Sequence, residues 1–249
     1  MALVRPPGPR LADGIVTHIE RSPVDLDLAR QQHAEYVAAL AGAGWDIVTV
    51  PPADDCPDAV FIEDTIVVCD DLAVITRPGA LARQPETATV DDTVRDLGLR
   101  VEHIVAPGTV DGGDILQIGQ TVYVRRGGRT NDDGIAQLTE ALARVGRTTV
   151  AVALRKVLHL KSAVTALPDG TVLAYDDSVD LDHFPRVLQV PEEAGAHVVL
   201  LGGSDVLIAA SAPRTAELID GLGWRPVVVN IGEYERLEGC VTCLSVLIP

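Results

Sequence analysis

Runs of β-branched and aliphatic residues recur along the chain, each entered through a glycine that closes a helix-like stretch. Gly44 precedes the run 45–50, Gly98 the run 99–105, Gly146 the run 147–152, Gly195 the run 196–201 and Gly223 the run 224–229. A glycine behind a segment of 3.6-residue periodicity is a helix stop, and the apolar run after it reads as a strand. Helical periodicity covers residues 26–40, 85–97, 132–145 and 213–222. Hairpin-like stretches lie between them at 59–76, at 115–124, at 162–175 around Pro168-Asp169-Gly170, and at 206–210. The unit is strand, strand, helix, strand, repeated about five times, at a spacing of roughly fifty residues that marks a repeat architecture. The pattern predicts an α/β protein. With no Pro- or Ser-rich linker to divide it, the chain is expected to be a single domain over residues 1–249. A ring of such units would bring loops from every repeat to one central cavity, where residues distant in sequence meet.

Composition narrows the classes. Apolar residues make up 47% of the chain and aromatics 3%, which suits a core of small sheets packed with Val, Leu, Ile and Ala. A net charge of −16 argues against a nucleic-acid partner, because no basic stripe can neutralise phosphates. It suits either solubility alone or the arrival of a small cationic substrate. The first ten residues, MALVRPPGPR, lack the apolar core of a secretory signal, and no run reaches membrane-spanning length. The expectation is a cytoplasmic protein that engages no membrane. Oligomeric state is open, a homodimer included. Four cysteines in 249 residues do not make a disulfide framework.

Candidate chemistry gathers at a few places. Cys243 stands at the foot of the β-branched run that ends the chain, where a strand would hold its thiol rigidly. His159 in Leu158–Ser162, and Asp111 opening Asp111-Gly112-Gly113-Asp114, supply the other parts of an activated nucleophile. Acids on both sides of the glycines disfavour a phosphate loop, so the glycines are expected to make a tight turn that presents Asp111. Cys240-x-x-Cys243 also admits a redox pair or a metal site. A redox pair of the thioredoxin kind opens a helix, whereas this pair is expected to enter a strand, and a zinc site lacks two further ligands at suitable spacing. In residues 57–65, strand alternation would send Asp58, Val60, Ile62 and Asp64 to one face and Ala59, Phe61 and Glu63 to the other. Carboxylates in so apolar a stretch are either solvated at an edge or matched to a cation such as a guanidinium. Arg77, Arg83, Arg125, Arg126 and Arg129 follow strands; solvated arginines are the ordinary outcome, but on the same cavity they would hold a carboxylate.

The strings PDAVFIEDTIVVC, ITRPGALAR, TVDGGDIL, GRTND, LHLKS and GCVTCLSVLIP, in that order, closely resemble the dimethylarginine dimethylaminohydrolase family, over a stretch from about residue 17 to the end. The resemblance implies the pentein fold, a five-bladed α/β propeller around a central active-site cavity. It implies a hydrolase that converts asymmetric dimethylarginine and monomethylarginine to citrulline, with Cys243 as nucleophile, His159 as general acid and base, and Asp111 orienting His159. It further implies Glu63 and Asp64 as ligands of the substrate guanidinium, Asp58 and the Leu237 carbonyl as further substrate contacts, and Arg83 and Arg129 as carboxylate ligands. No cofactor is implied, although Zn²⁺ could bind a Cys–His pocket as an inhibitor. Arginine deiminases and non-catalytic binding proteins of the same fold are the alternatives. Residues 21–25 follow abruptly where relatives carry a longer loop, so a shortened lid over the substrate is expected.

Overall fold

The computed structural model describes every residue except Lys156 and Asp177. Among the described residues fifteen strands form five three-stranded sheets. In the first, β1 (Ala2–Val4) runs parallel to β2 (Ile47–Thr49) and antiparallel to β15 (Val246–Leu247). The others repeat that arrangement in chain order: β3 (Ile66–Cys69), β4 (Leu72–Ile75) and β5 (Arg100–His103); β6 (Ile115–Ile118), β7 (Thr121–Arg126) and β8 (Thr148–Ala153). Next come β9 (Val164–Ala166), β10 (Val172–Ala174) and β11 (Val187–Gln189); then β12 (Val198–Gly202), β13 (Asp205–Ala209) and β14 (Arg225–Val229). Each sheet is an antiparallel pair joined to a third, parallel strand; in four sheets that pair is a hairpin, in the first it is β1 with β15, and the parallel partner needs a crossover, which in four sheets is helical. The chain therefore begins and ends in the same sheet: β1 pairs with β15, Ala2 opposite Leu247, and closes the ring.

Four crossovers are α-helices: α1 (Leu26–Gly42), α2 (Ala88–Asp96), α3 (Asp132–Ala143) and α4 (Pro213–Gly221). The Asp25 carboxylate caps α1 by accepting from the amides of Asp27 and Leu28, and Asn131 caps α3 through Gly134. Behind these helices stand Gly44, Gly98, Gly146 and Gly223 in the left-handed region, the helix stops expected from the sequence. The fifth expected stop fails. Gly195 lies inside a 3-10 turn, Glu193–Ala196, and feeds the first strand of a sheet; a Cβ there would stand 2.1 Å from Thr215 Oγ1, so close packing requires the glycine. Between β10 and β11 the described residues form only a short 3-10 turn, Leu181–His183. A last short helix, α5 (Gly232–Glu235), packs on α1, where the Tyr234 hydroxyl donates to the Ala29 carbonyl at 2.6 Å.

A 3-10 turn stands directly or one residue ahead of the strand that runs antiparallel to the central strand of every sheet: Ile62–Thr65, Gly112–Asp114, Leu160–Ser162, Glu193–Ala196 and Val241–Leu244. The first of these packs on the second and the fifth, and the second on the third. Two readings of the sequence change here. Residues 57–65 are turns and a 3-10 helix rather than a strand, and Cys243 sits in a 3-10 helix, Val241–Leu244, rather than in a strand. Polar groups needed at the hub cannot lie in a continuous ladder facing an apolar core, and a tight turn lets consecutive side chains diverge. Among the described residues no helix is long and apolar enough to cross a membrane.

Candidate active site

The hub turns carry the chemistry. His159, ahead of the third turn, has both ring nitrogens facing carboxylates: Nε2 lies 3.1 Å from Asp111 Oδ2 and Nδ1 3.7 Å from Asp64 Oδ1. All three residues are buried. Burial opposes the imidazolium, but the Asp64 charge and the hydrogen bond to Asp111 outweigh it and raise His159 to about 9. Asp64 moves the opposite way: burial would raise it, but His159 and Arg83 hold it at about 2.

Asp111 is fixed by the Gly79 amide, which donates to its Oδ1 at 2.8 Å. Asp64 Oδ1 accepts from the Gly113 amide at 2.9 Å, and its Oδ2 accepts from Arg83. The two glycines of the Asp-Gly-Gly-Asp string have separate reasons. A Cβ on Gly112 would strike the Glu63 carbonyl at 1.9 Å; one on Gly113 would lie 2.7 Å from His159 Nδ1 and 2.8 Å from Asp64 Oδ1. Neither adopts the left-handed conformation expected of a tight-turn glycine. They permit the close approach of backbone and site instead.

Cys243, Asp58, Asp64, Arg83, Arg129, His159 and Leu237 line one small cavity of about 20 Å³. Ile15 and Glu238 cover it. The segment 5–25 between β1 and α1, expected to be a shortened lid, reaches the site: Ile15 lines the cavity and its amide donates to Asp58 Oδ1 at 3.0 Å. The Glu238 carboxylate gathers the same segment, accepting from the amides of Thr17 at 2.8 Å and Ile19 at 3.0 Å, from the His18 amide, and from the Thr17 hydroxyl at 3.0 Å. Glu238 holds a φ of 62°, uncommon for a side-chain-bearing residue.

Two expected roles meet a different geometry. Glu63 does not line the cavity that holds Cys243 and His159. It turns the other way, pairing with Lys161 and accepting from Thr242 Oγ1 at 2.9 Å, because neighbouring residues on a 3-10 turn diverge. Burial lifts its carboxyl to about 7 against the opposing Lys161 charge. Arg83 is not a free cation: its guanidinium forks onto Glu86 at 2.8–3.2 Å, donates to the carbonyls of Phe61 and Asp58 at 3.0 and 3.2 Å, and holds Asp64. Arg129 reaches the cavity with a looser contact, 3.7 Å from Asp111.

Lys161, Asp114 and Glu86 are structural partners that the reading of the sequence missed. Asp114, fully buried, accepts from Thr130 Oγ1 at 2.7 Å and the Leu160 amide at 3.2 Å, which anchors the His159 loop. The visible signal was a lysine and a second acid inside apolar strings, where burial demands a partner.

Cys240 and Cys243 face each other with 3.3 Å between sulfurs. The hydrogen bond that the Cys243 thiol donates to Cys240, burial, and the nearby charges of Cys240, Glu63 and Asp64 push the Cys243 thiol up, while the same bond pulls Cys240 down. Atoms of Asp64, Asp111 and His159 lie within 4.8 Å of one another, close enough to share a metal ion. A protonated imidazole there lends positive charge to both acids.

A ring of five three-stranded blades, four of them with an α-helical crossover, and with clustered polar side chains on its hub turns, defines the pentein class of α/β propellers. No protein-family model matches the chain. It is 60% identical over 246 residues to an N(G),N(G)-dimethylarginine dimethylaminohydrolase of Streptomyces coelicolor, covering 98% of this chain and 95% of that protein. It is 36% identical over 247 residues to the enzyme of that name from Pseudomonas aeruginosa, with 98% and 97% covered. A crystal structure of a dimethylarginine dimethylaminohydrolase carrying an adduct with S-methyl-L-thiocitrulline superposes with a TM-score of 0.93 at 35% identity, covering 98% of both chains. The Pseudomonas aeruginosa enzyme, as a cysteine-to-serine variant complexed with citrulline, gives 0.91 at 35% identity, covering 98% of this chain and 97% of that one. The chain belongs to the dimethylarginine dimethylaminohydrolase family.

Proposed function

We propose that this protein hydrolyses Nω-methylated arginine, asymmetric dimethylarginine and monomethylarginine, to citrulline and the corresponding amine, with residues 1–249 acting as one domain. The observation that carries this reading is Cys243 and a doubly partnered His159 on one buried cavity with Asp58, Asp64 and Arg129. The reported relatives, named or solved as dimethylarginine dimethylaminohydrolases, support it.

The guanidinium carbon is a poor electrophile because its charge spreads over three nitrogens, so a thiolate makes the first attack. Cys243 rests as a thiol beside acids; a substrate cation docking against Asp64 offsets those charges and lowers the cost of ionising it, and the thiol proton leaves to water as the substrate binds. Asp64 has acceptor capacity left on both oxygens beyond its present bonds. The thiolate adds to the carbon, and His159, an imidazolium at neutral pH, gives its proton to the departing dimethylamine as the C–N bond breaks. A covalent S-alkylthiouronium remains on Cys243. Neutral His159 then takes a proton from water as the oxygen attacks, the C–S bond breaks, and citrulline leaves. Asp111 keeps the ring in place through both steps. Arg129 would receive the substrate carboxylate and Asp58 with the Leu237 carbonyl its amino group, with Arg83 bracing Asp64; Glu63 would act from behind the sulfurs through Thr242. The steps call on no metal or organic cofactor, and Zn²⁺ is expected to inhibit, since a thiol and an imidazole on one cavity are zinc ligands. Four unpaired, buried cysteines support a reducing, cytoplasmic setting.

Citrulline formation from asymmetric dimethylarginine, monomethylarginine and arginine, measured in parallel with a Cys243→Ser control, tests this. Turnover of the methylated substrates that disappears in the variant is the expected result. Turnover of arginine alone would make the protein a deiminase, and none on any substrate would leave a binding protein.

A further inference from the structure

Cys240 and Cys243 lie three residues apart across the hub turn Val241–Leu244, with the Cys243 amide donating to the Cys240 carbonyl at 3.1 Å and the sulfurs 3.3 Å apart. A disulfide needs the sulfurs at about 2.05 Å, so closing the gap asks for a small side-chain rotation and no chain travel. The two residues line different cavities. Cys243 lines the closed catalytic one, whereas Cys240 lines a wider cavity of about 530 Å³ together with Ser162, His197 and Gly239. A small oxidant therefore has a wider approach to Cys240 than to Cys243. The other two thiols have no such geometry: Cys69, for instance, points at Gln117 Oε1, 2.9 Å away.

We propose that Cys240 and Cys243 are an oxidative modification site, closing to a reversible disulfide with hydrogen peroxide as the oxidant. The Cys240 thiolate attacks one peroxide oxygen; an S–O bond forms, the O–O bond breaks, and hydroxide leaves to become water with the proton Cys240 had released. Cys243 then attacks the sulfenic sulfur; the S–S bond forms, the S–O bond breaks, and the oxygen leaves as water with the Cys243 proton and its own. Two thiols and one peroxide give one disulfide and two waters, each sulfur losing one electron. A dithiol reverses the change by exchange. The bridge would take the nucleophile out of service and block its further climb to the irreversible sulfinic acid. Its effect on turnover rests on Cys243 being the nucleophile; the bond itself does not.

The test exposes the protein to hydrogen peroxide, alkylates remaining thiols under denaturing conditions, digests with trypsin and weighs the peptide of residues 237–249. The expected peptide is two hydrogens lighter and unalkylated, becomes doubly alkylated after dithiothreitol, and tracks the loss and return of citrulline formation, each sample being compared with its own untreated activity. In Cys240→Ser the same exposure should carry Cys243 to the sulfinic acid, with activity that dithiothreitol does not restore. A wild-type peptide that gains oxygens, or that stays doubly alkylated while activity is lost, overturns the proposal. A bridged peptide with unchanged turnover would confirm the bond and instead overturn Cys243 as the nucleophile.

Discussion

Replacing Asp111 by asparagine removes one of the three carboxylates, with Asp64 and Asp114, that keep His159 charged. The wild-type site lifts His159 from 6.5 to about 9, a preference for the imidazolium worth roughly 3 kcal/mol. The Asp111 bond, at 3.1 Å between fully buried groups, is charge-assisted and worth about 1.5–3 kcal/mol. Losing it should lower His159 by about one to two pH units, to near 7–8. Asparagine is close in shape and its amide oxygen can still accept from Gly79, so the ring should stay in place. Because the folded-state value stands above the unfolded one, His159 contributes stability that is fully present below pH 6.5 and is lost as pH rises through about 9. In the variant the loss is smaller and is complete at a lower pH. Titration of ¹³C-labelled histidine by NMR, with the His159 signal assigned from His159→Gln, reads the shift directly; urea midpoints across the same pH range read the stability. An unshifted His159 in Asp111→Asn would refute the reasoning that this carboxylate holds the charge.

Gly113→Ala puts a methyl against His159 Nδ1 and Asp64 Oδ1 at under 3 Å, so turnover should fall on the order of a hundredfold with a stability loss of about 1–3 kcal/mol; activity near wild type would show that the triad can yield. Lys161→Met leaves the Glu63 carboxylate buried without its cation, costing up to about 3–5 kcal/mol at pH 8. Glu63 already titrates near 7, above its unfolded value, so its folded state is favoured below pH 4.5 and that advantage is lost as pH rises through 7. The Lys161→Met penalty should accordingly shrink as pH falls, and urea midpoints at pH 5 and 8 check this. Glu238→Ala releases three lid amides, which should raise KM several-fold more than it lowers kcat and expose residues 15–19 to proteolysis.

The helices and their glycine stops were legible because a left-handed glycine after an apolar periodicity is a local device, and Gly44, Gly98, Gly146 and Gly223 use it. Gly195 was not separable from them, since its reason is the side chain of Thr215, twenty residues away in sequence. The site residues were legible through motif resemblance more than through pattern. Alternation placed Asp58 with Asp64 and against Glu63, and the structure does separate them that way, but through turns and a 3-10 helix rather than a pleat. Arg83 looked like a ligand for substrate, and only the fold shows how many of its donors Asp64, Glu86 and two carbonyls take up. The closeness of Cys240 to Cys243 could not be read while the segment was taken for a strand, where residues three apart point to opposite faces; the 3-10 turn brings the sulfurs together.

The central claim is that Cys243 attacks the methylated guanidinium. Mixing the protein with asymmetric dimethylarginine, quenching in acid during turnover and weighing the peptide of residues 237–249 tests it most directly. The account predicts a peptide heavier by the substrate less dimethylamine, with the added mass on Cys243 and none in Cys243→Ser. Citrulline accumulating with no adduct on Cys243 at any quench time, or persisting in Cys243→Ser, would contradict it.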